Sequence, residues 1–128
     1  MVQIKNKDFY SFDTLLAENF YKIKNFEKAK KIYNAIEKNG TAYLWYSAKQ
    51  KAKILIKQDK KEKALNVLGQ AYEKLPKKNI YEKYDYAKFL KSNDRFKESI
   101  KYYTEIIQSI SIGLNPFELI TDSNRFSN

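Results

Sequence analysis

A recurrence at a spacing of 35 residues constrains this chain more than any other feature of its sequence. Ala17, Ala52 and Ala87 stand 35 apart, and so do Ala29, Ala64 and Ser99, all of them small. Larger residues keep the same interval: Phe20, Leu55 and Leu90; Ile32, Val67 and Tyr102; Tyr33, Leu68 and Tyr103; Ile36, Ala71 and Ile106. A fixed period of 20 to 50 residues is the mark of a repeat architecture, in which each unit is one supersecondary element that buries its apolar face against its neighbours. The columns hold residue character at three positions each, so the chain is read as three copies of one unit.

Each copy contains two helical patterns separated by a polar break. In the first, Phe9, Phe12, Leu16, Phe20 and Ile23 fall at helical spacing, predicting a helix from Asp8 to Lys22. After Lys24-Asn25 a second helix runs toward Asn39-Gly40, where glycine suits the left-handed position that closes a helix, and Thr41 is the expected cap of the next. The second copy predicts helices over about 41–57 and 60–75, with Gln58-Asp59 as the turn and Pro76 ending the pattern. The third predicts about 79–91 and 95–110 around Ser92-Asn93-Asp94. The unit bounds are therefore about 8–40, 41–78 and 79–112 of a single domain spanning 1–128. Beyond them, in a tail at 113–128, Asn115-Pro116 is the expected helix start, and Phe117, Leu119 and Ile120 are expected to make a short capping helix, the alternatives being the beginning of a fourth unit or a dimer contact.

The small columns have a steric meaning. Two antiparallel helices joined by a short turn approach closely only where side chains are small. Ala17 with Ala29, Ala52 with Ala64, and Ala87 with Ser99 are the expected crossing points.

On these residues the chain resembles the tetratricopeptide repeat (TPR) family, whose helix-turn-helix unit recurs at about 34 residues. The second copy carries Ala52, Leu55, Ala64, Leu68, Ala71 and Pro76 in register with the family pattern. The first matches with Ala17, Phe20, Ala29 and Tyr33, the third with Leu90, Ser99 and Tyr103. Two departures stand out: Lys51 where the family usually has Leu, and Ala48 where it often has Trp. The resemblance implies an all-α fold, a right-handed α-α superhelix (solenoid) of three TPR-like units with a C-terminal cap. A pentatricopeptide, RNA-reading repeat is the runner-up by period, but its spacing between small residues fits less well.

The resemblance also implies an inner face, made by the first helix of each unit, that binds extended peptides. Carried over residue by residue, that face holds Tyr46, Lys49, Lys53, Ile56 and Lys57 in the second unit, and Tyr81, Tyr84, Lys88, Lys91 and Ser92 in the third. In the first it holds Ser11, Thr14, Glu18, Tyr21 and Lys22. The candidate ligand-binding residues are Tyr46, Lys49, Lys53, Lys57, Tyr81, Tyr84, Lys88 and Lys91, and the expected partner is an acidic peptide segment or a C-terminal carboxylate. The other reading of the same residues is that the tyrosines pack between units and the lysines solvate a surface. A chaperone-binding clamp is not expected, because Thr14 and Glu18 stand at the first two positions where it needs Lys and Asn.

Composition narrows the chemistry. The chain has no Cys and no His, which removes disulfides, thiolate chemistry, and the usual general base and metal ligand. No glycine-rich phosphate loop or nucleophile elbow is present, and Glu82 with Asp85 read as a solvated helix face. An enzyme is not expected, nor a cofactor or metal. Lys and Arg number 25 against 15 Asp and Glu, a formal charge of +10. That excess either attracts an anionic partner or reflects a lysine-rich composition, since no block of like charges forms a nucleic-acid arm. No apolar run is long enough to span a bilayer, and MVQIKNKDFY lacks the apolar stretch of a signal peptide, so the expectation is a cytoplasmic protein without membrane contact. Beside the peptide-binding reading stand two alternatives: a self-associating array, a homodimer through Phe9, Phe12, Phe117 or Ile120, and a basic RNA-binding repeat.

Overall fold

A computed structural model describes residues 12–110, and these residues are helical with no strand among them. The chain divides into two compact units, residues 1–76 and 77–128. In the first lie α1 (Phe12–Lys22), α2 (Phe26–Ile36), a 3₁₀ turn (Glu37–Asn39), α3 (Thr41–Lys57) and α4 (Lys61–Lys74). The second contains α5 (Ile80–Ser92) and α6 (Phe96–Ile110). Consecutive helices pack as hairpins: α1 with α2, α3 with α4, and α5 with α6. The expected helix over Asp8–Phe9 and the C-terminal capping helix lie outside the described residues.

The sequence period is also a backbone period. At the end of the first helix of every hairpin one residue turns left-handed: Lys24 at φ 64°, Asp59 at 60° and Asp94 at 64°, again 35 apart. Around each, the same pair of bonds closes the helix. The N–H groups of Asn25, Lys60 and Arg95 donate to the carbonyls of Phe20, Leu55 and Leu90 at 2.8, 2.8 and 2.9 Å. The N–H groups of Lys24, Asp59 and Asp94 donate to Tyr21, Ile56 and Lys91 at 3.0, 3.0 and 3.2 Å. This is the Schellman closure, here formed without the usual glycine. The chain then re-enters helix at once. The N–H groups of Ala29, Ala64 and Ser99 donate to the carbonyls of Asn25, Lys60 and Arg95.

All six small residues lie inside. Ala17, Ala52 and Ala87 have no exposed surface, nor do Ala29 and Ala64, and Ser99 is 3% exposed. Where the third copy has Ser in place of Ala, its hydroxyl donates to the carbonyl of Ala87 at 2.8 Å, so the added oxygen is satisfied at the crossing itself.

In the first unit, Ala17, Ala29, Tyr33 and Ile36 form a core with Ile54 of α3. The α2–α3 junction adds polar ties. Ser47 donates to the Tyr33 carbonyl at 2.7 Å, and the Lys51 ammonium meets Glu37 at 2.7 Å and Asn34 at 2.9 Å. Lys51, which departs from the family pattern, therefore has a partner on the preceding hairpin. Trp45 stacks edge-on against Tyr72 at 5.8 Å, joining α3 to α4. In the second unit, Tyr86 meets Tyr102 at 5.1 Å, Tyr84 meets Tyr103 at 6.3 Å, and Lys83 pairs with Glu105 at 3.6 Å.

Two sequence expectations at helix ends are corrected. Thr41 is the first residue of α3 and caps nothing; Gly40 holds the cap position, with φ 140° and ψ 173°. That backbone is extended and mirror-image rather than the left-handed helical closure expected, and it is one that residues bearing a Cβ seldom adopt. The close of α2 is made instead by the 3₁₀ turn before it. Pro76 acts as anticipated: Leu75 before it is extended, at φ −67° and ψ 122°, as a residue preceding proline must be.

Candidate functional site

The first unit opens a pocket of about 410 Å³ where α1, α2 and α3 meet, lined by Glu18, Tyr21, Lys22, Tyr33, Tyr46, Gln50 and Lys53. Helix spacing explains the set. Glu18, Tyr21 and Lys22 share one face of α1, while Tyr46, Gln50 and Lys53 fall at i, i+4 and i+7 on α3. The floor is aromatic. Tyr33 is 1% exposed and packs edge-on against Tyr46, their centroids 6.1 Å apart. Burial, with the neighbouring Tyr46 and Glu18 adding to it, holds the Tyr33 phenol well above the ordinary range, and its side chain is hydrogen-bonded to Tyr46. At the mouth, the Lys53 ammonium lies 4.9 Å from the centre of the Tyr21 ring, a cation–π pair between α3 and α1. Tyr21 itself leans on Phe26 at 5.7 Å.

Chemically, the pocket combines charge with flat apolar faces. Its charged groups are Lys22, Lys53 and Glu18, its flat apolar faces are the tyrosine rings, and its volume admits a few side chains of an extended chain. Lys53 is held over the Tyr21 ring by the cation–π contact.

Of the eight residues proposed from the sequence, Tyr46 and Lys53 line this pocket. Lys49 and Lys57 share their helix but not its wall: Lys49 is half-buried and Lys57 exposed. On α5 of the second unit, Tyr81 is 78% exposed and Tyr84 46%, and Lys88 sits 5.8 Å from the Tyr84 ring centre, one helical turn on. Lys91 is exposed at the end of that helix. Tyr46 and Tyr84 pack on Tyr33 and Tyr103, and each remains open to solvent on another side.

Thr14, carried to the inner face by the resemblance, is instead wholly buried. It lies one turn before Ala17 on the same face and joins the crossing. Ser11 lies outside the described residues. Two wall residues were not anticipated. Gln50 continues the Tyr46–Lys53 stripe, a periodicity that could have found it. Tyr33 sits in a core column, and spacing alone does not reveal that its hydroxyl end reaches the pocket. The carboxylate of Glu82, read from the sequence as part of a solvated helix face, closes a capping box with Asn79 at the start of α5, through bonds of 3.0 and 2.8 Å.

No helix among the described residues is long and apolar enough to cross a membrane. Comparison with protein-family models, with curated proteins and with solved structures finds no match to the chain.

Proposed function

We propose that this protein is a non-enzymatic interaction module of the tetratricopeptide type: three TPR-like hairpins in a right-handed superhelix that holds an acidic, extended segment of another protein. The observation that carries this reading is the pocket between α1, α2 and α3. Five of its seven wall residues, Glu18, Tyr21, Lys22, Tyr46 and Lys53, are ones the repeat register assigns to a peptide-binding face. They come from two successive hairpins. In this reading Lys53 and Lys22 receive carboxylates, the rings of Tyr21 and Tyr46 pack apolar side chains, and Glu18 accepts a backbone N–H of the ligand. Lys88 beside Tyr84 on α5 repeats the Lys53–Tyr21 chemistry on a second helix.

An exposed lysine–carboxylate pair contributes roughly 0–1 kcal/mol. Several such pairs together with tyrosine contacts reach micromolar affinity, about −8 kcal/mol. Calorimetric titration with acidic and basic peptides of equal length tests this. The acidic peptide is expected to bind, and Lys53→Glu to weaken it by about tenfold, or ~1.4 kcal/mol. Equal affinity for both peptides, or no change in the variant, overturns the reading.

A further inference from the structure

The charges of the pocket do not suit a purely acidic ligand. Beside Lys22 and Lys53 its wall carries Glu18. That carboxylate makes no ion pair among the described residues. Its charge is felt inside the pocket, because it adds to the rise of the Tyr33 phenol on the floor. The rings around it also favour positive charge. Lys53 already rests over Tyr21, 4.9 Å from its centre, which shows that this ring face accepts an ammonium. Tyr46 meets Tyr33 at 70° and keeps another side open to solvent. Glu18, Tyr21 and Tyr46 thus favour a cation in the same pocket whose lysines favour anions.

We infer that the segment held here carries one lysine or arginine among its acidic residues, and that this cation enters between Glu18 and the rings of Tyr21 and Tyr46. The specification rests on the peptide-binding function proposed above. Glu18 and Lys22 stand one helical turn apart on α1, with Cβ atoms about 5–6 Å from each other. On an extended chain, side chains of one face recur at roughly 6.5 Å, two residues' rise. A base at one ligand position and an acid two positions away therefore meet Glu18 and Lys22 together, and a second acid reaches Lys53 on α3. A ligand of acids alone sets like charge against Glu18, which costs affinity. The Glu18 carboxylate has acceptor sites for a ligand cation as well as for a backbone N–H.

Calorimetric titration tests this with three peptides of one length, acidic throughout except for a central Lys, Gln or Glu. The Lys peptide is expected to bind about fivefold tighter than the Gln peptide, the size of a cation–π contact at a partly exposed site, and the Glu peptide weakest. The net charge of +10 acting alone would give the opposite order. Glu18 is exposed, so Glu18→Gln leaves the packing of α1 intact, and it is expected to abolish the difference between the Lys and Gln peptides. Equal affinities, or the order Glu, Gln, Lys, overturn the inference and leave the acidic-segment function in place. A preference for Lys that survives Glu18→Gln also overturns it. Failure of all three peptides to bind overturns the inference and that function together.

Discussion

At the scale of single residues, Tyr33 ties the core of the first unit to the pocket. Its ring is buried among Ala17, Ala29, Ile36 and Ile54, its carbonyl accepts from Ser47, and its side chain is bonded to that of Tyr46. Its phenol is raised because burial disfavours the charged form. The consequence for stability has a definite sign. An unfolded tyrosine ionises near 10, and the folded one resists doing so, so the native state is penalised only once the pH passes that value. Stability of the first unit is therefore expected to be insensitive to this group at neutral pH and to fall as pH rises above about 10. Tyr33→Phe should lose about 1 kcal/mol at pH 7 with the hydrogen bond, and should flatten the alkaline decline. Chemical denaturation at pH 8 and pH 11 compares the two proteins, and equal slopes with pH in both would remove the phenol from the account.

At the scale of elements, the hairpin is defined by its crossing and its turn. Small residues on both helices let the backbones approach, and a left-handed residue five before the second small position closes the turn. Ala52→Leu would force three extra carbons into a site with no exposed surface, and is expected to cost about 1–3 kcal/mol or more. Ser99→Ala removes a hydroxyl from the one crossing that has it and recreates what the other two hairpins use, so its effect should stay within about 1 kcal/mol. Thermal unfolding of both variants checks the contrast. A tolerated Ala52→Leu would mean that close approach is not what the small columns provide.

Much at this scale was legible beforehand. The α3 boundaries, Thr41–Lys57, agree with the sequence reading, and the remaining described helix ends fall within a few residues of it, because columns of apolar residues and polar turns mark them. Helix caps were not legible. The cap at Gly40 and the left-handed Lys24 depend on backbone angles that residue type only biases, and lysine gives no sign of being left-handed. The site divided in the same way. Tyr46 and Lys53 follow from which face of α3 they occupy, whereas Thr14 went inward and Tyr33 reached the pocket because side-chain depth depends on neighbours contributed by other helices.

At the scale of the molecule, the account is that one hairpin design recurs three times and leaves a tyrosine and lysine surface for an acidic partner. In the proposed function that surface is, in the first unit, the pocket whose lining includes Tyr21, Tyr33, Tyr46, Gln50 and Lys53, rather than the general excess of positive charge. Nuclear magnetic resonance distinguishes these directly. On titrating an isotope-labelled protein with an acidic peptide, the account predicts saturable shifts concentrated at Glu18, Tyr21, Tyr46, Gln50 and Lys53, surviving moderate salt. Shifts spread over the lysines of α2 and α4 and abolished by salt would mean that charge alone draws the ligand, and would contradict it.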